Sequence, residues 1–259
     1  MITIDCTASI VVYDNPARML RAAVESFLCC SLDTHLYIVD NSPHPVLKNV
    51  FNDLPVEYHF YGKNAGYGRA HNWAIEHSRE SRYHLIMNPD IVIAQGTMER
   101  LVDFMDENPG IGMVSPRVLN ADGTDQFLNK RYLNVTDLFV RRFVPQIFHP
   151  LLKRRLAHYE MRDVGYDKVC DVECIPGAFM LCRMDVLKAV GGFDPRYFMY
   201  FEDGDLCRKF QMHGYRTVYY PNATVVHGYE RASHKSVKMA MILIANMFRY
   251  FNKWGWKWL

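Results

Sequence analysis

The strongest constraint on this chain of 259 residues is the way short apolar runs alternate with amphipathic stretches over its first 120 positions. "ASIVVY" reads as a buried strand. "DNPARMLRAAVESFLCC" follows, with Met19, Leu20, Ala23, Val24, Phe27 and Leu28 recurring at helical spacing. Asn15 is placed to cap that helix and Pro16 to occupy its first turn. "HLYIVDNS" and "VEYHF" supply two more strands, and a helix begins near Tyr67 with Ala70, Trp73, Ala74 and His77 facing inward. "YHLIMN", "GTMERLVDFMDEN" and "IGMVS" continue as strand, helix and strand. This alternation predicts an α/β layer with a mixed, mainly parallel sheet. Such sheets bind ligands beyond the carboxyl ends of their strands, the side on which Asp40 and Asp90 fall.

Apolar residues make up 49% of the chain, ample for one sizeable core, and 30 Lys and Arg against 28 Asp and Glu leave a net charge of +2. That balance carries no chain-wide signature of nucleic-acid binding. Seven cysteines lie scattered without the paired short spacings of a zinc site, which predicts a reduced, intracellular chain. "MITIDCTASIVVY" lacks the pattern of a signal peptide, and no run reaches the length of a membrane span. The expected location is the cytoplasm. Residues 120–172 break the rhythm with basic and aromatic clusters and isolated prolines, and read as an insertion with short helices, a mobile lid or a solvated connection. "CIPGAFMLC", "MDVLKAVGG", "DLCRKFQMHG" and "ATVVHG" then restore strand, helix, helix and strand. The expected organisation is one catalytic domain over 1–232 and a helical carboxyl-terminal appendage over 233–259.

Three clusters carry chemistry. In "LIMNPDIVI", Asp90 beside a core strand must be paired, solvated or bound to a cation, although Asn, Pro and Asp also favour a plain turn. "GKNAGYGRAHN" sets Gly62, Gly66 and Gly68 before a helix, where backbone can approach closely and an anion can meet the helix start. "YFEDGDLCRK" gathers Glu202, Asp203 and Asp205 within four positions; like charges so close need a metal, a basic partner, exposure or a raised pKa. An ordinary acidic helix start explains the same residues.

Taken together, "IVDNS", "GKNAGYGRAHN", "LIMNPD", "IPGAFMLCR", "VGGFDPRYFMYFEDGDLCRK" and the late "HG" resemble the family 2 glycosyltransferases of bacteria, especially the rhamnosyltransferase-like branch of surface polysaccharide assembly, such as that of O-antigen and lipopolysaccharide. The resemblance covers about residues 7–230. It implies a GT-A fold, a single Rossmann-like domain, a nucleotide-sugar donor, Mg²⁺ or Mn²⁺, and inversion at the anomeric carbon. On the matching positions, Asp40 resembles the carboxylate that meets the base. Asn64, Gly66, Gly68 and Arg69 resemble the loop flanking nucleotide and diphosphate, and Asn88 and Asp90 the metal and donor motif. His227 resembles the late histidine that joins the cation, and Asp203 the general base. Position 88 is Asn where many relatives carry Asp, so the triplet offers one strong anionic ligand.

In a single displacement, a base takes the acceptor proton while the leaving diphosphate is stabilised on the other face of the sugar. Asp203 is expected in the first role with Glu202 as its rival. Asp205 is expected to orient the site or pair with Arg208, and Gly177 and Ala178 to leave room for the donor sugar or the acceptor. The tail "VKMAMILIANMFRYFNKWGWKWL" is too short in its apolar part to span a bilayer, and its tryptophans and cations suit an interfacial helix on the inner face of the membrane. Docking on the core or in a homodimer explains the apolar run equally well. Lys153, Arg154 and Arg155 could meet anionic headgroups. The expected reaction moves rhamnose from dTDP-rhamnose to a lipid-linked saccharide. A UDP-hexose-dependent transferase, a nucleotide-sugar hydrolase or nucleotidyltransferase, and a noncatalytic nucleotide-sugar-binding module are the alternatives.

Overall fold

Strand order in the computed structural model, which describes residues 3–144, 152–228 and 237–258, divides the sheet into two halves. β1 (Ile4–Val12), β2 (Thr34–Asp40), β3 (Val56–Phe60) and β4 (Ser81–Met87) pair in parallel in the order β3-β2-β1-β4. The helices α1 (Ala17–Leu28) and α2 (Tyr67–His77) make the crossovers. Beyond β4 the order is β8-β6-β9-β5, with β5 (Ile91–Ile93), β6 (Ile111–Leu119), β8 (Phe179–Arg183) and β9 (Arg216–His227). Here β8 runs antiparallel to both β4 and β6, and only β6 and β9 are parallel. The two-residue β7 (Cys170–Asp171) pairs with β9.

α1 buries Leu20, Ala23, Val24 and Phe27 on one side of the sheet, as its spacing dictates. Asn15 does not cap it. Its Oδ1 accepts from the Tyr13 amide instead, and Pro16 stands at the cap position with no side-chain acceptor. In α2, Ala70 and Ala74 are buried, but His77 is exposed and stacks on Trp73 along the helix flank. Under α2 a buried polar chain ties the strands together. The Thr7 hydroxyl meets Ser81 Oγ (3.1 Å) and His84 Nδ1 (2.7 Å), and Ser9 Oγ links His84 Nε2 (2.9 Å) to His71 Nδ1 (2.7 Å). Burial pushes the His84 pKa down to about 3 and that of His71 well below the usual histidine range.

Only Asn88, Pro89 and Asp90 separate β4 from β5, yet β5 lies four strand positions away. A flat sheet would place the two about 19 Å apart at ~4.8 Å per spacing. The chain from Met87 to Ile91 reaches only about 14 Å at full extension. The far edge must therefore curl back over the end of β4. The β6–β9 ladder supplies the bend, stepping from Pro116↔Tyr220 to Arg117↔Thr224.

The segment after β6 carries two short helices, α4 (Val135–Phe143) and α5 (Lys153–Tyr159), following α3 (Thr97–Glu107). α6 (Met184–Ala189) and α7 (Glu202–Met212) pack on the sheet beside β8 and β9. The chain ends in α8 (Val237–Trp254), whose inner face buries Asn246, Tyr250 and Phe251 against Leu133, Tyr197 and Phe201. Its outer stripe of Val237, Met241, Ile244 and Phe248 is exposed. The expected domain boundary at 232/233 lies outside the described residues.

Candidate active site

β2 ends at Asp40, fully buried, with Oδ1 accepting from the Ser42 amide (2.8 Å) and Oδ2 from the Tyr58 hydroxyl (2.5 Å). Next to it, Asn41 donates through Nδ2 to the Gly66 carbonyl (3.1 Å) and so staples the glycine loop to the strand end. Within that loop, Asn64 Oδ1 accepts from Gly66 N–H (3.0 Å). Gly66 sits at φ +88°, and a Cβ there would lie 2.4 Å from the Phe198 carbonyl. At Gly68 a Cβ would meet Phe193 at 2.9 Å. Both glycines thus bring α2 against the 193–198 segment. Arg69 departs from its expected place along the loop: exposed, it donates from Nε to the Pro195 carbonyl (2.8 Å).

Curling of the sheet pairs Ile91 with His227, and the Gly228 amide donates to the Asp90 carbonyl (2.9 Å). His227 Nε2 thereby lies 3.3 Å from Asp90 Oδ1 and 3.4 Å from Asn88 Nδ2. Gln126 reads both sides of this histidine. Its Nε2 donates to the His227 carbonyl (2.9 Å), which can only accept, so its Oε1 faces Nδ1 (2.8 Å) and requires a proton there. In the neutral imidazole Nε2 is then a lone pair, which can accept from Asn88 Nδ2 or join Asp90 Oδ1 in holding a cation. No cluster of three or more His, Cys, Asp or Glu suited to a metal exists among the described residues. One carboxylate oxygen of Asp90 beside Nε2 of His227 is a donor pair that a hard cation can use together with phosphate oxygens and water.

Glu202 and Asp203 open α7, directly after Tyr200 (φ 72°) and Phe201 (φ 70°). Two consecutive non-glycine residues in the left-handed region cost on the order of 1–3 kcal/mol each, and persist only where surrounding packing fixes them. α8 provides that packing: Asn246 Nδ2 donates to the Met199 carbonyl (2.8 Å), and Tyr250 and Phe251 press their rings on Phe201. Asp203 Oδ2 accepts from the Gly177 amide (3.2 Å) and Oδ1 from the Gly204 amide (2.7 Å). Gly177 is held from its other side by Tyr67, whose hydroxyl donates to its carbonyl (2.6 Å), and the Ala178 carbonyl accepts from Asn88 N–H (2.9 Å). Burial first, and then the charges of Glu202, Asp203 and Asp90, push the Tyr67 phenol well above its usual pKa. One tyrosine thus feels all three carboxylates.

Burial, helped by the neighbouring Asp203 charge, pushes Glu202 up to about 8, and its Oε2 is buried without a hydrogen-bond partner. Burial also raises Asp203, opposed by the amides of Gly204 and Gly177. Asp203 accepts from two backbone amides while Glu202 Oε2 has no donor, so of the two acids Asp203 is the better placed to stay ionised and accept a proton. Asp205 is not at the site. It is fully buried, and its Oδ1 takes Lys253 Nζ (2.6 Å) and Trp254 Nε1 (2.8 Å) from α8. The expected pair with Arg208 is not formed; that guanidinium lies over the rings of Tyr132 (4.8 Å) and Trp254 (5.0 Å). Asn41, Tyr67, Gln126 and Asn246 went unrecognised as parts of the site. Only Asn41 and Tyr67 carried a signal, since they stand within the two motifs at the strand ends.

A curled mixed sheet, a glycine loop folded against a strand-end carboxylate, and an acid–histidine pair at its bend define a GT-A-like glycosyltransferase fold. The chain belongs to the glycosyltransferase like family 2, whose sequence profile matches residues 8–249. Two curated relatives are rhamnosyltransferases. N-acetylglucosaminyl-diphospho-decaprenol L-rhamnosyltransferase of Mycobacterium tuberculosis is 29% identical over 67% of this chain and 61% of its own length. Rhamnosyltransferase WbbL of Escherichia coli K12 is 26% identical over 75% of this chain and 74% of its own. The match therefore spans less than two thirds of the mycobacterial enzyme. Among solved structures, GalNAc-T7 with UDP, GalNAc and Mn²⁺ aligns over 96% of this chain and 48% of its own, with TM-score 0.70 and 12% identity. Mannosyltransferase PcManGT of Pyrobaculum calidifontis, with GDP-Man and Mn²⁺, aligns over 97% of this chain and 64% of its own, with TM-score 0.64 and 15% identity.

Proposed function

We propose that this chain is an inverting glycosyltransferase that moves rhamnose from dTDP-rhamnose to a lipid-linked saccharide in the assembly of a surface polysaccharide. The observation that carries the mechanism is the unequal setting of the adjacent acids, with Asp203 accepting from the Gly177 and Gly204 amides while Glu202 Oε2 is buried without a donor. Asp203 accepts the proton of the acceptor hydroxyl as that oxygen bonds to the anomeric carbon. The bond from that carbon to the donor phosphate breaks, and its electron pair leaves with the nucleoside diphosphate. Asp90 and His227 would hold Mg²⁺ or Mn²⁺, which supplies positive charge to the departing diphosphate when bound. Tyr67 fixes Gly177, and through it the direction of Asp203. The names of the two curated relatives support the sugar and, in the mycobacterial case, the lipid diphosphate carrier.

Incubation with a panel of dTDP- and UDP-sugars and a lipid-linked saccharide extract, with mass spectrometry and NMR of the product, tests this reading. Transfer of rhamnose with inverted configuration is expected. A retained configuration overturns the single displacement, and release of free sugar that is indifferent to acceptor makes the chain a hydrolase.

The outer stripe of α8, with Trp256 and Trp258, supports peripheral contact with the membrane; among the described residues no helix is long and apolar enough to cross one. Truncation cannot test this cleanly, because Tyr250 and Phe251 belong to the core. Replacing Met241, Ile244 and Phe248 by Ser leaves that inner face intact and should abolish most flotation with anionic liposomes. Undiminished flotation would put the contact elsewhere.

A further inference from the structure

A cavity of about 380 Å³ is lined by residues of α4, α5 and the segment after α8, none of which belongs to the site around Asp40 and Asp90. Its wall includes three permanent cations, Arg131, Arg155 and Lys257, against the two carboxylates of Asp137 and Glu173. Arg155 is committed to Asp137 (2.5 Å), and Arg131 to Asp163 outside the cavity (3.0 Å). Lys257 pairs with no carboxylate among the described residues, and its ammonium rests 4.3 Å from the centre of the Tyr132 ring. Across the same space, Glu173 Oε2 is buried with no hydrogen-bond partner. An exposed ammonium with no carboxylate partner and a buried acceptor lacking its donor, on either side of the half-buried Tyr132, match a ligand that carries both phosphate oxygens and sugar hydroxyls.

The cavity's position agrees with that chemistry. Tyr132 lies over Arg208 and bonds Gln211 Oε1 (3.1 Å), while Leu133 packs on Gly204. The lining segment therefore runs along α7 from the turn beside Asp203, and Arg208 stands about 7.5 Å farther down the helix axis at 1.5 Å per residue. At its outer end the cavity is bounded by the tail itself, which the Val135 amide ties down at the Lys257 carbonyl (2.9 Å). Trp256 and Trp258 flank Lys257, with their rings stacked on each other (5.7 Å), and Trp256 also meets Phe248 of the exposed stripe (5.3 Å). The charged cavity thus has α7 beside one wall, at Arg208 and Gln211, and the apolar rim beside the other.

We infer that this cavity receives the diphosphate of a lipid-linked saccharide acceptor, with Lys257 on the phosphate oxygens and Glu173 on a sugar hydroxyl. The acceptor hydroxyl then points toward Asp203 and the lipid leaves across the tryptophans. The inference rests on the proposed acceptor class. It adds where the carrier is recognised and which residue separates a carrier-linked sugar from a free one.

Two acceptors serve as probes for the full-length protein: N-acetylglucosaminyl diphosphate on a short, soluble prenyl chain, and the methyl glycoside of the same sugar. The ratio of kcat/KM between them is compared for wild type, Lys257→Ala and Lys257→Arg. Wild type should prefer the diphosphate probe, Lys257→Ala should shrink the preference about tenfold, as expected for the loss of one charge-assisted bond, and Lys257→Arg should restore most of it. An unchanged ratio in Lys257→Ala overturns the site while leaving the acceptor class standing. A wild type that does not distinguish the probes overturns the acceptor class and the site with it.

Discussion

Asp90 and Asp203 both bring a carboxylate to the site, yet they are held by different means. Asp90 sits at a strand end whose place is set by the ladder pairing of Ile91 with His227 and by the Gly228 amide on its own carbonyl. Asp203 follows a turn with two left-handed residues, kept in shape by a helix that starts 34 residues farther along the chain. Backbone ladders fix the first position through hydrogen bonds that any sequence in those strands can make. The second depends on particular side chains, Asn246, Tyr250 and Phe251. Damage to α8 should therefore reach Asp203 while sparing Asp90.

The largest effect expected is at Asp203, the proton acceptor of the proposed mechanism. Asp203→Asn keeps the bond from Gly177 but removes basicity, so single-turnover transfer should fall by about 10² to 10⁴ with donor affinity retained. Glu202→Gln, at a side chain whose Oε2 takes no hydrogen bond, should cost much less. The opposite ranking would give the role to Glu202.

Next comes the support of the turn. Phe251→Ala empties a buried ring site and should lower stability by about 3–5 kcal/mol in urea titration. Asn246→Leu keeps volume but removes the donor to Met199, and should depress turnover while leaving donor binding in calorimetry unchanged. Equal loss of both would mean that α8 supports the donor side as well, and would dissolve the contrast.

The strand-held half has its own weakness. His84 is buried neutral, with its pKa near 3 against an ordinary value near 6.5. Above pH 6.5 both folded and unfolded chains leave it uncharged, and no stability is at stake. Below 6.5 the unfolded chain binds a proton that the fold refuses, so stability should fall with decreasing pH down to about pH 3, by up to ~1.4 kcal/mol per pH unit from this residue. Lower urea midpoints at pH 5.5 than at 7.5, with the slope reduced in His84→Gln, are the expected result. A flat profile would mean that the Thr7–His84–Ser9 chain tolerates the charge.

The smallest effect expected is at the strand-held site. Gln126→Leu removes the acceptor that keeps the proton on His227 Nδ1, and Mn²⁺ affinity measured by electron paramagnetic resonance in the presence of dTDP should weaken about tenfold, as is usual when a partner behind a metal-binding histidine is lost. No change would show that the strand pairing alone suffices to aim the ring.

The same contrast governs what the sequence could reveal. Short apolar runs and a 3.6-residue period located β1 to β4 and their helices, and with them the strand-end positions of Asp40 and Asp90, because those elements are set by local pattern. The antiparallel entry of β8 between β4 and β6 left no such trace, since partner choice there is a matter of tertiary packing. Asp205 looked like a member of the site because it stands two positions from Asp203. Two helical steps turn a side chain by about 200°, which sends Asp205 to the opposite side, toward Lys253 and Trp254. His77 was read inward on the same faulty footing, as part of a stripe whose buried members are Ala70 and Ala74. Gln126 gave no local signal at all, lying in an irregular stretch 101 residues from the histidine it holds.

The curl that brings β9 to Asp90 also sets an order of events during biosynthesis. β8 must slot between β4 and β6, strands made long before it, and His227 joins Asp90 across 137 intervening steps of the chain. A nascent polypeptide emerging from the ribosome can complete the β3-β2-β1-β4 block early, but it leaves one flank of β4 unpaired until residue 183 has appeared, and it has no acid–histidine pair until residue 227. A late strand, β9, thus completes a pair whose other member follows the early strand β4. Before that point, the open flank of β4 is an exposed strand edge, the kind of surface that invites pairing with another chain.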